Sequence, residues 1–326
     1  MVKQINESYK YRIYPTTEQV NHFFNHFGIA RFVFNQIKTL YESDLKSLKD
    51  SGVFKPKYYL NKKTISHYYR TIKAAHKFLK EMDSRVIIAA GDNLIRAYQN
   101  ISKLNNGWVK YKSRKSNKSF RTIRQGQNIK LIGGKLKIPK LNSLIKMKYH
   151  QKIKGRILSA TVSYENNRYF VSINVDKSPV IPKKKTGRTV GIDLGLNSSI
   201  TTSLPIGEDG FKSGKLEHKL QDKRIDKFEK ILSRKRRCSG KWYKVKAKLN
   251  TVYRKKKNYI EDKINYFTTR IVCEFDHIYV GDVNSQLGLK NKCLAKTTAD
   301  SHWFEIKRQL EYKADWYGKE FEIVNE

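Results

Sequence analysis

Residues 189–203 read TVGIDLGLNSSITTS, and this segment indicates the fold class of the second half of the chain. Apolar residues and glycines surround a single carboxylate, Asp193, and the turn-forming pair Asn197-Ser198 follows. The pattern predicts two short strands joined by a turn, with Asp193 buried on the first strand. Because a lone buried carboxylate is costly, Asp193 is expected to have chemical partners elsewhere in the chain.

A carboxylate on a central strand, followed by glycine and a second strand, is how RNase H-like nucleases begin. Their chemistry needs two divalent ions about 4 Å apart, one for the attacking water and one for the leaving oxygen. One carboxylate is insufficient, and the other acids usually come from a later strand and a later helix. The later strand expected here is HIYVGDV, residues 277–283, in which Asp282 follows Gly281.

The charge of the chain indicates its partner. The 326 residues include 68 lysines and arginines against 29 acids, which gives a formal net charge of +39. Such a charge opposes compaction unless a polyanion neutralises it, and nucleic acid is the natural partner. No membrane partner is expected, because no apolar run approaches ~20 residues and no lipidation motif is evident. The alternative is a basic soluble protein with solvated lysines.

The first half predicts a sheet combined with helices. Alternation over SYKYRIY predicts a strand, and Thr16 with Gln19 forms a capping-box signature for the helix that follows. Another helix is expected over residues 84–101. An antiparallel hairpin with its turn at residues 165–167 comes later, before a linker.

Residues 93–164 contain 18 lysines and arginines and no acid, so their charge must be met from outside this segment. The segment interleaves Trp108, Tyr111 and Phe120 with basic residues, a composition suited to phosphate contact and base stacking. The alternative is an aromatic hairpin core with solvated lysines outside. The front-half candidates for contact with a nucleic-acid backbone are Arg12, Lys110, Lys112, Arg114, Lys115 and Arg121.

A long helical pair, hinged near residues 238–240, is expected after the two strands. Residues 234–257 contain 12 lysines and arginines and no acid, which favours a helix face lying along a phosphate backbone. A solvated basic face is the alternative. Ser301 is then expected to cap a last helix closed by Gly318, with a final strand after it. The candidate contact residues of the helical pair are Arg234, Arg236, Arg237, Lys244 and Lys248.

The three cysteines give no sign of a metal site. Cys238, Cys273 and Cys293 are far apart and form no C-x-x-C pair. Neither a disulfide framework nor a structural zinc site is therefore supported, and no metal is predicted.

Several segments resemble the TnpB family, transposon-encoded RNA-guided nucleases related to type V CRISPR effectors. They span essentially the whole chain in the family's order, which makes the set far more specific than GIDLG alone. The segments are YKYRIYPTTEQ, RFVFNQ, GWVKYKSR, the IPK segment, GIDLGLN, the basic helix ending in LSRKRR, IYVGDVN and LEYKADWYGKEFEIV.

The resemblance implies an α+β multidomain fold. It also implies a guide RNA and a double-stranded DNA target that carries a short adjacent motif. The RuvC-like domain would lack the family's zinc ribbon and final catalytic helix. The implied parts are a wedge-type β-barrel (residues 1–15 and 128–180), a helical recognition insertion (16–127), a linker (181–187) and a RuvC-type, RNase H-like α/β domain (188–326).

The acid set that the resemblance implies is incomplete in this chain. The first catalytic carboxylate maps onto Asp193, the second, a glutamate in the family, onto Gly281, and the third lies beyond Glu326. Asp282 is expected to face away from the site, since adjacent strand residues point to opposite faces. Glu322 and Glu326 would reach it only through a rearranged terminus. Asp193 would then be vestigial or a structural acid, with at most weak binding of one Mg²⁺.

The expected function is therefore RNA-guided, sequence-specific DNA binding without cleavage, as in the nuclease-dead TnpB-derived repressors called TldR. The guide RNA is required, and no other cofactor is expected. A stable R-loop over a promoter would block RNA polymerase in the bacterial cytosol, at the nucleoid; the N-terminus, which lacks a signal-peptide core, agrees with that location. Two alternatives stay open, an active TnpB-type endonuclease with an unusual acid set and a decayed transposon-derived fragment. The sequence fixes no oligomeric state.

Overall fold

The computed structural model describes residues 5–52, 60–104, 107–177, 183–207, 210–214, 216, 218–283 and 290–325. These residues divide into two compact units, one within residues 6–178 and the other comprising residue 5 and the described part of residues 179–326. Each unit combines helices with a sheet, as the predicted α+β class requires. In the ranges described, no helix is both long and apolar enough to cross a membrane.

The first unit contains a seven-stranded sheet with the strand order β2-β6-β7-β1-β5-β4-β3. Its strands are β1 (Ile5–Tyr14), β2 (Lys118–Ile123), β3 (Lys130–Ile132), β4 (Lys135–Lys137), β5 (Ile145–Met147), β6 (Arg156–Glu165) and β7 (Arg168–Lys177). Its helices are α1 (Thr17–Asp50), α2 (Ile65–Ala75) and α3 (Ser84–Leu104), with a 3₁₀ turn at Lys77–Lys80.

Two local signals of the first unit are confirmed. The Thr16 hydroxyl accepts a hydrogen bond from the Gln19 amide, and the Gln19 side chain accepts one from the Thr16 amide, which completes the capping box of α1. Asn166 and Asn167 both adopt left-handed φ angles, 48° and 60°. This is the conformation that a two-residue hairpin turn needs to match the strand twist.

Helix α1 packs on the sheet through aromatic residues. Phe23 and Phe27 share one core with Tyr11 of β1 and Phe120 of β2. Strand β2 pairs with β6, so residues 118–123 belong to the same sheet as β1. The described pairings form an open series from β2 to β3, and the wedge-type barrel stays a prediction.

The second unit contains a five-stranded sheet with the strand order β10-β9-β8-β11-β12. Strand β9 runs antiparallel to β8, whereas β11 runs parallel to both β8 and β12. Residues 181 and 182 of the predicted linker lie outside the described residues. The strands are β8 (Thr189–Asp193), β9 (Ile200–Ile206), β10 (Phe211–Gly214), β11 (His277–Gly281) and β12 (Glu320–Val324). The helices are α4 (Lys219–Ser233), α5 (Gly240–Glu274), α6 (Ala295–Ser301) and α7 (Trp303–Tyr317).

One face of this sheet is buried beneath helices α5 and α7. Val190 and Ile192 of β8 and Val280 of β11 share a core with Ile264 of α5 and Ile306 of α7. Alternation therefore sends the intervening strand residues, Asp193 among them, to the opposite face.

The predicted start of the last helix is wrong, and its predicted end is confirmed. Ser301 is the last residue of α6, and its hydroxyl donates back to the Thr298 carbonyl instead of capping α7. His302 precedes α7 in a left-handed conformation. Gly318 closes α7 with a φ of 67°, a conformation that glycine adopts without steric cost.

Candidate functional site

Asp193 is the last residue of β8 and is exposed, contrary to the predicted burial. The apolar residues Val190 and Ile192 alternate with it and take the core face, so the carboxylate points to the other side. Burial of Asp193 would require every residue of the apolar run to face the core, whereas a strand with one covered face buries only alternate residues.

Gly281 lies next to Asp193 on the neighbouring parallel strand. Ile192 is opposite Val280, and one step along both strands brings Asp193 beside Gly281. On the other side, Asp193 is opposite Thr201 of β9. The residue onto which the second acid maps therefore borders the first acid and has no side chain.

Asp282 faces away from Asp193, as predicted. Its carboxylate lies 2.9 Å from the ammonium group of Lys307 on α7, the helix that covers the opposite face of the sheet. Glu322 of β12 is opposite Tyr279, which places it one strand further from β8. Glu326 lies outside the described residues.

The described residues do not assemble three acids around Asp193. Within the described ranges, the one close group of at least three histidines, cysteines or acids consists of His218, Asp300 and His302. Residues 193, 201 and 281 thus offer one carboxylate, one hydroxyl and no side chain, which does not fit a pair of divalent ions.

The first unit carries a basic cavity of about 310 Å³. Two predicted contact residues line it, and both are engaged within the fold. The Lys112 ammonium lies 3.9 Å from the centre of the Phe34 ring, and burial lowers its pKa. Arg121 forms an ion pair with Asp92 at 3.0 Å, so an acid from outside the acid-free segment meets its charge, as expected. The other basic residues that line the cavity, Arg31, Arg96 and Lys118, were missed because they lie on different elements of the fold.

Residues 107–123 fit both interpretations of their aromatic side chains. Phe120 is buried in the core, whereas Trp108 is 73% exposed and Tyr111 54% exposed. The Trp108 ring is therefore available for stacking, whereas the Lys38 ammonium lies 3.8 Å from the centre of the Tyr111 ring and covers one of its faces. The predicted contact residues Lys110, Arg114 and Lys115 are exposed, and Arg12 is half-buried with its guanidinium over the Tyr14 ring.

Helices α4 and α5 form the predicted pair. Ser239 caps α5 by accepting a hydrogen bond from the Trp242 amide, and Ile225 packs with Leu249 and Val252 between the helices. The five predicted contact residues of this pair all lie at the surface: Arg234, Arg236, Arg237, Lys244 and Lys248. Lys244 and Lys248 are four residues apart and therefore share one face of α5.

Two family profiles match the sequence. The OrfB_IS605 profile, described as "Probable transposase", matches residues 170–290. The HTH_OrfB_IS605 profile, described as a helix-turn-helix domain, matches residues 1–47. In the described part of that range the chain forms strand β1 and most of helix α1.

Curated relatives and a solved structure extend the similarity to the whole chain. A Streptomyces pristinaespiralis protein, named as a candidate RNA-guided DNA endonuclease, is 27% identical over all of this chain and 79% of its own length. InsQ of Escherichia coli K12, named likewise, is 24% identical over 96% of this chain and 78% of its own length. The cryo-EM structure of a Cas12f1–sgRNA–target DNA complex aligns with 99% of this chain and 89% of its own, with 12% identity and a TM-score of 0.57. That last likeness concerns the fold alone.

Proposed function

We propose that this chain, whose sequence matches two OrfB_IS605 profiles, is a member of the TnpB family that binds DNA under the guidance of an RNA and does not cut it. The observation that carries the proposal is the position of Gly281, which lies beside Asp193 where the resemblance implies a second acid. The proposed class of function, RNA-guided action on DNA, comes from the names of the curated relatives.

The charge distribution supports RNA and DNA as partners. A net charge of +39 needs polyanions to offset self-repulsion, and both units present exposed basic residues. In RNA-guided recognition, base pairing reads the target sequence, while the protein grips backbones and reads a short adjacent motif. The exposed aromatic ring of Trp108 adds a surface on which unpaired bases can stack.

Loss of cleavage follows from the chemistry that the site would have to perform. In-line attack at a phosphate needs two metal ions, held by several acids, to stabilise the attacking and leaving oxygens. Asp193 provides one carboxylate, glycine provides none, and Asp282 is paired with Lys307 on the other face. We therefore assign Asp193 no catalytic role.

A protein that binds promoter DNA without cleaving it would repress transcription. A guide RNA paired to one strand of a promoter leaves a stable R-loop in place, and RNA polymerase cannot pass it. The proposed setting is the bacterial cytosol, at the nucleoid. A discrete set of target promoters, each matching the bound guide, is the expected consequence.

The second candidate function is an active endonuclease with a different acid set. It is favoured by the names of the two relatives and by Asp193 itself, whose carboxylate is exposed at the end of a central strand. A decayed transposon fragment without a partner RNA is the third interpretation.

Sequencing of co-purified RNA, combined with chromatin profiling of the tagged protein, tests the proposal. We expect one discrete guide species whose variable end matches an occupied promoter, and higher expression of that gene when the protein is removed. Scattered RNA with no occupied site would contradict guided binding and favour decay.

A further inference from the structure

His218, Asp300 and His302 meet in the second unit although 82 residues separate the first two in sequence. One ligand atom from each lies within 4.8 Å of the other two. His218 immediately precedes α4, Asp300 lies near the end of α6, and His302 joins α6 to α7. His218, Asp222 and Asp300 also line a cavity of about 220 Å³, together with Leu196 and Ser199 from the turn after β8.

The buried ring of His218 presents an unpartnered nitrogen to this cluster. Its side chain is 5% exposed, and Nε2 has no hydrogen-bond partner in the described part of the chain. The Asp300 carboxylate oxygen lies 3.9 Å from Nε2, which is too far for a hydrogen bond. A polar atom in this position is expected to have a ligand, since buried polar groups are nearly always paired.

Asp222 fixes which nitrogen of His218 is the free one. Its carboxylate lies 2.5 Å from Nδ1, so Nδ1–H donates to Asp222 and Nε2 keeps its lone pair. This is the carboxylate–histidine arrangement that orients imidazole ligands and raises their basicity in metal sites.

His302 provides a second imidazole. Its Nε2 is also buried without a partner among the described residues. Burial lowers the pKa of His302 more than the nearby Asp300 carboxylate raises it.

Both acidic and basic side chains surround the cluster. Asp222 and Asp300 bring two negative charges, and Lys256 offsets one of them, with its ammonium 2.9 Å and 3.0 Å from the two carboxylates. Lys256 and Nε2 of His218 both approach the Oδ1 atom of Asp300, and its other oxygen accepts no hydrogen bond from the described residues. Lys219 and Lys296 also line the cavity, so a metal ion would be held by the donor atoms and not by a local excess of negative charge.

We propose that His218, Asp300 and His302 bind one divalent transition-metal ion such as Zn²⁺, with water completing the coordination. Two imidazoles and one carboxylate are ligands that Zn²⁺ and Co²⁺ accept. Metal–ligand distances of about 2.1 Å require the three side chains to close by about an ångström on binding. The ion would fasten the start of α4 to the junction of α6 and α7. This site is separate from Asp193 and does not depend on the proposed function.

Titration of the metal-stripped full chain with Co²⁺, followed by visible absorption, tests the proposal. We expect one equivalent to bind with ligand-field bands and no thiolate charge-transfer band, and Zn²⁺ to displace it. The variants His218→Gln and His302→Gln are expected to lose this binding. Asp222→Asn keeps all three ligands and is expected to weaken it about 10- to 100-fold, since it removes the orienting partner.

The matched control is His277→Gln, which removes an exposed histidine that pairs with Glu320 at 2.9 Å and leaves the cluster intact. Binding in this variant is expected to equal that of the unmodified protein. The proposal is overturned if the unmodified chain binds no Co²⁺, if both ligand variants bind it normally, or if a thiolate band assigns the ion to Cys238, Cys273 or Cys293. Should the ligand variants misfold, normal binding by Asp222→Asn would still contradict the assignment.

Discussion

The triple variant Arg234→Gln, Arg236→Gln, Arg237→Gln is expected to bind duplex DNA with a much weaker dependence on salt. The three side chains are exposed and lie between the end of α4 and the start of α5. If each contacts one phosphate, the slope of log K against log salt falls by about 2.7, because B-DNA contributes roughly 0.9 per contact. Between 50 and 200 mM salt, the loss of affinity then shrinks by a factor of about 40.

A charge-matched control separates contact from net charge. The variant Lys10→Gln, Lys46→Gln, Lys49→Gln removes the same three charges from exposed positions. Lys10 pairs with Glu165 at 3.3 Å, and Lys46 and Lys49 lie near the acidic residues at the end of α1. We expect the control to keep the slope of the unmodified protein. Equal slopes for the unmodified protein, the arginine variant and the lysine control would show that the three arginines are solvated and do not contact phosphates.

Replacing Asp276 by asparagine is expected to cause the largest loss of stability among single substitutions in the second unit. One carboxylate oxygen of Asp276 accepts hydrogen bonds from the Thr186 and Gly187 amides, each at 2.6 Å. The other oxygen accepts from the ammonium of Lys319, which is 1% exposed. The carboxylate thus connects the segment before β8 to the starts of β11 and β12. Removing its charge leaves the buried ammonium of Lys319 without a negatively charged partner.

The same carboxylate makes stability depend on pH in the acid range. The hydrogen bond from Lys319 lowers the pKa of Asp276 to about 2, burial opposes that effect, and the two amides add to it. The ordinary value is 3.8, so the stabilisation is complete above about pH 4 and is lost as the pH falls towards 2. Chemical unfolding at several pH values measures this.

The control for Asp276→Asn is Glu320→Gln, which changes the contact of a mostly exposed carboxylate with His277. Exposed pairs contribute little, so its unfolding midpoint is expected to stay close to that of the unmodified protein. The difference in stability between the unmodified protein and Asp276→Asn is expected to shrink below pH 4. A difference that is constant from pH 7 to pH 2 would contradict the pKa assignment.

Local signals in the sequence predict much of this fold. The Thr16 capping box, the Asn166-Asn167 turn and Gly318 each depend on contacts within a few residues, and the structure confirms all three. Serine is a common helix cap, but Ser301 ends the preceding helix, and its hydroxyl donates to the Thr298 carbonyl instead.

Contacts between residues that are distant in the sequence could not be predicted from it. The place of Gly281 beside Asp193 follows from the register of two parallel strands that are separated by α4 and α5. His218, which precedes α4, and His302, which joins α6 to α7, lie close together in the fold, and no spacing between them in the sequence indicates this proximity. The apolar residues around Asp193 predict that it is buried, yet strand alternation places it on the exposed face.

Cleavage of matched DNA tests the central claim most directly. The protein is purified with its own RNA, mixed with a duplex that matches the sequenced guide, and supplied with Mg²⁺ or Mn²⁺. Strand breaks are mapped at nucleotide resolution beside a binding measurement, with Asp193→Ala in parallel. We expect both proteins to bind the duplex equally and to leave it intact. Nicks made by the unmodified protein and abolished by Asp193→Ala would contradict the account.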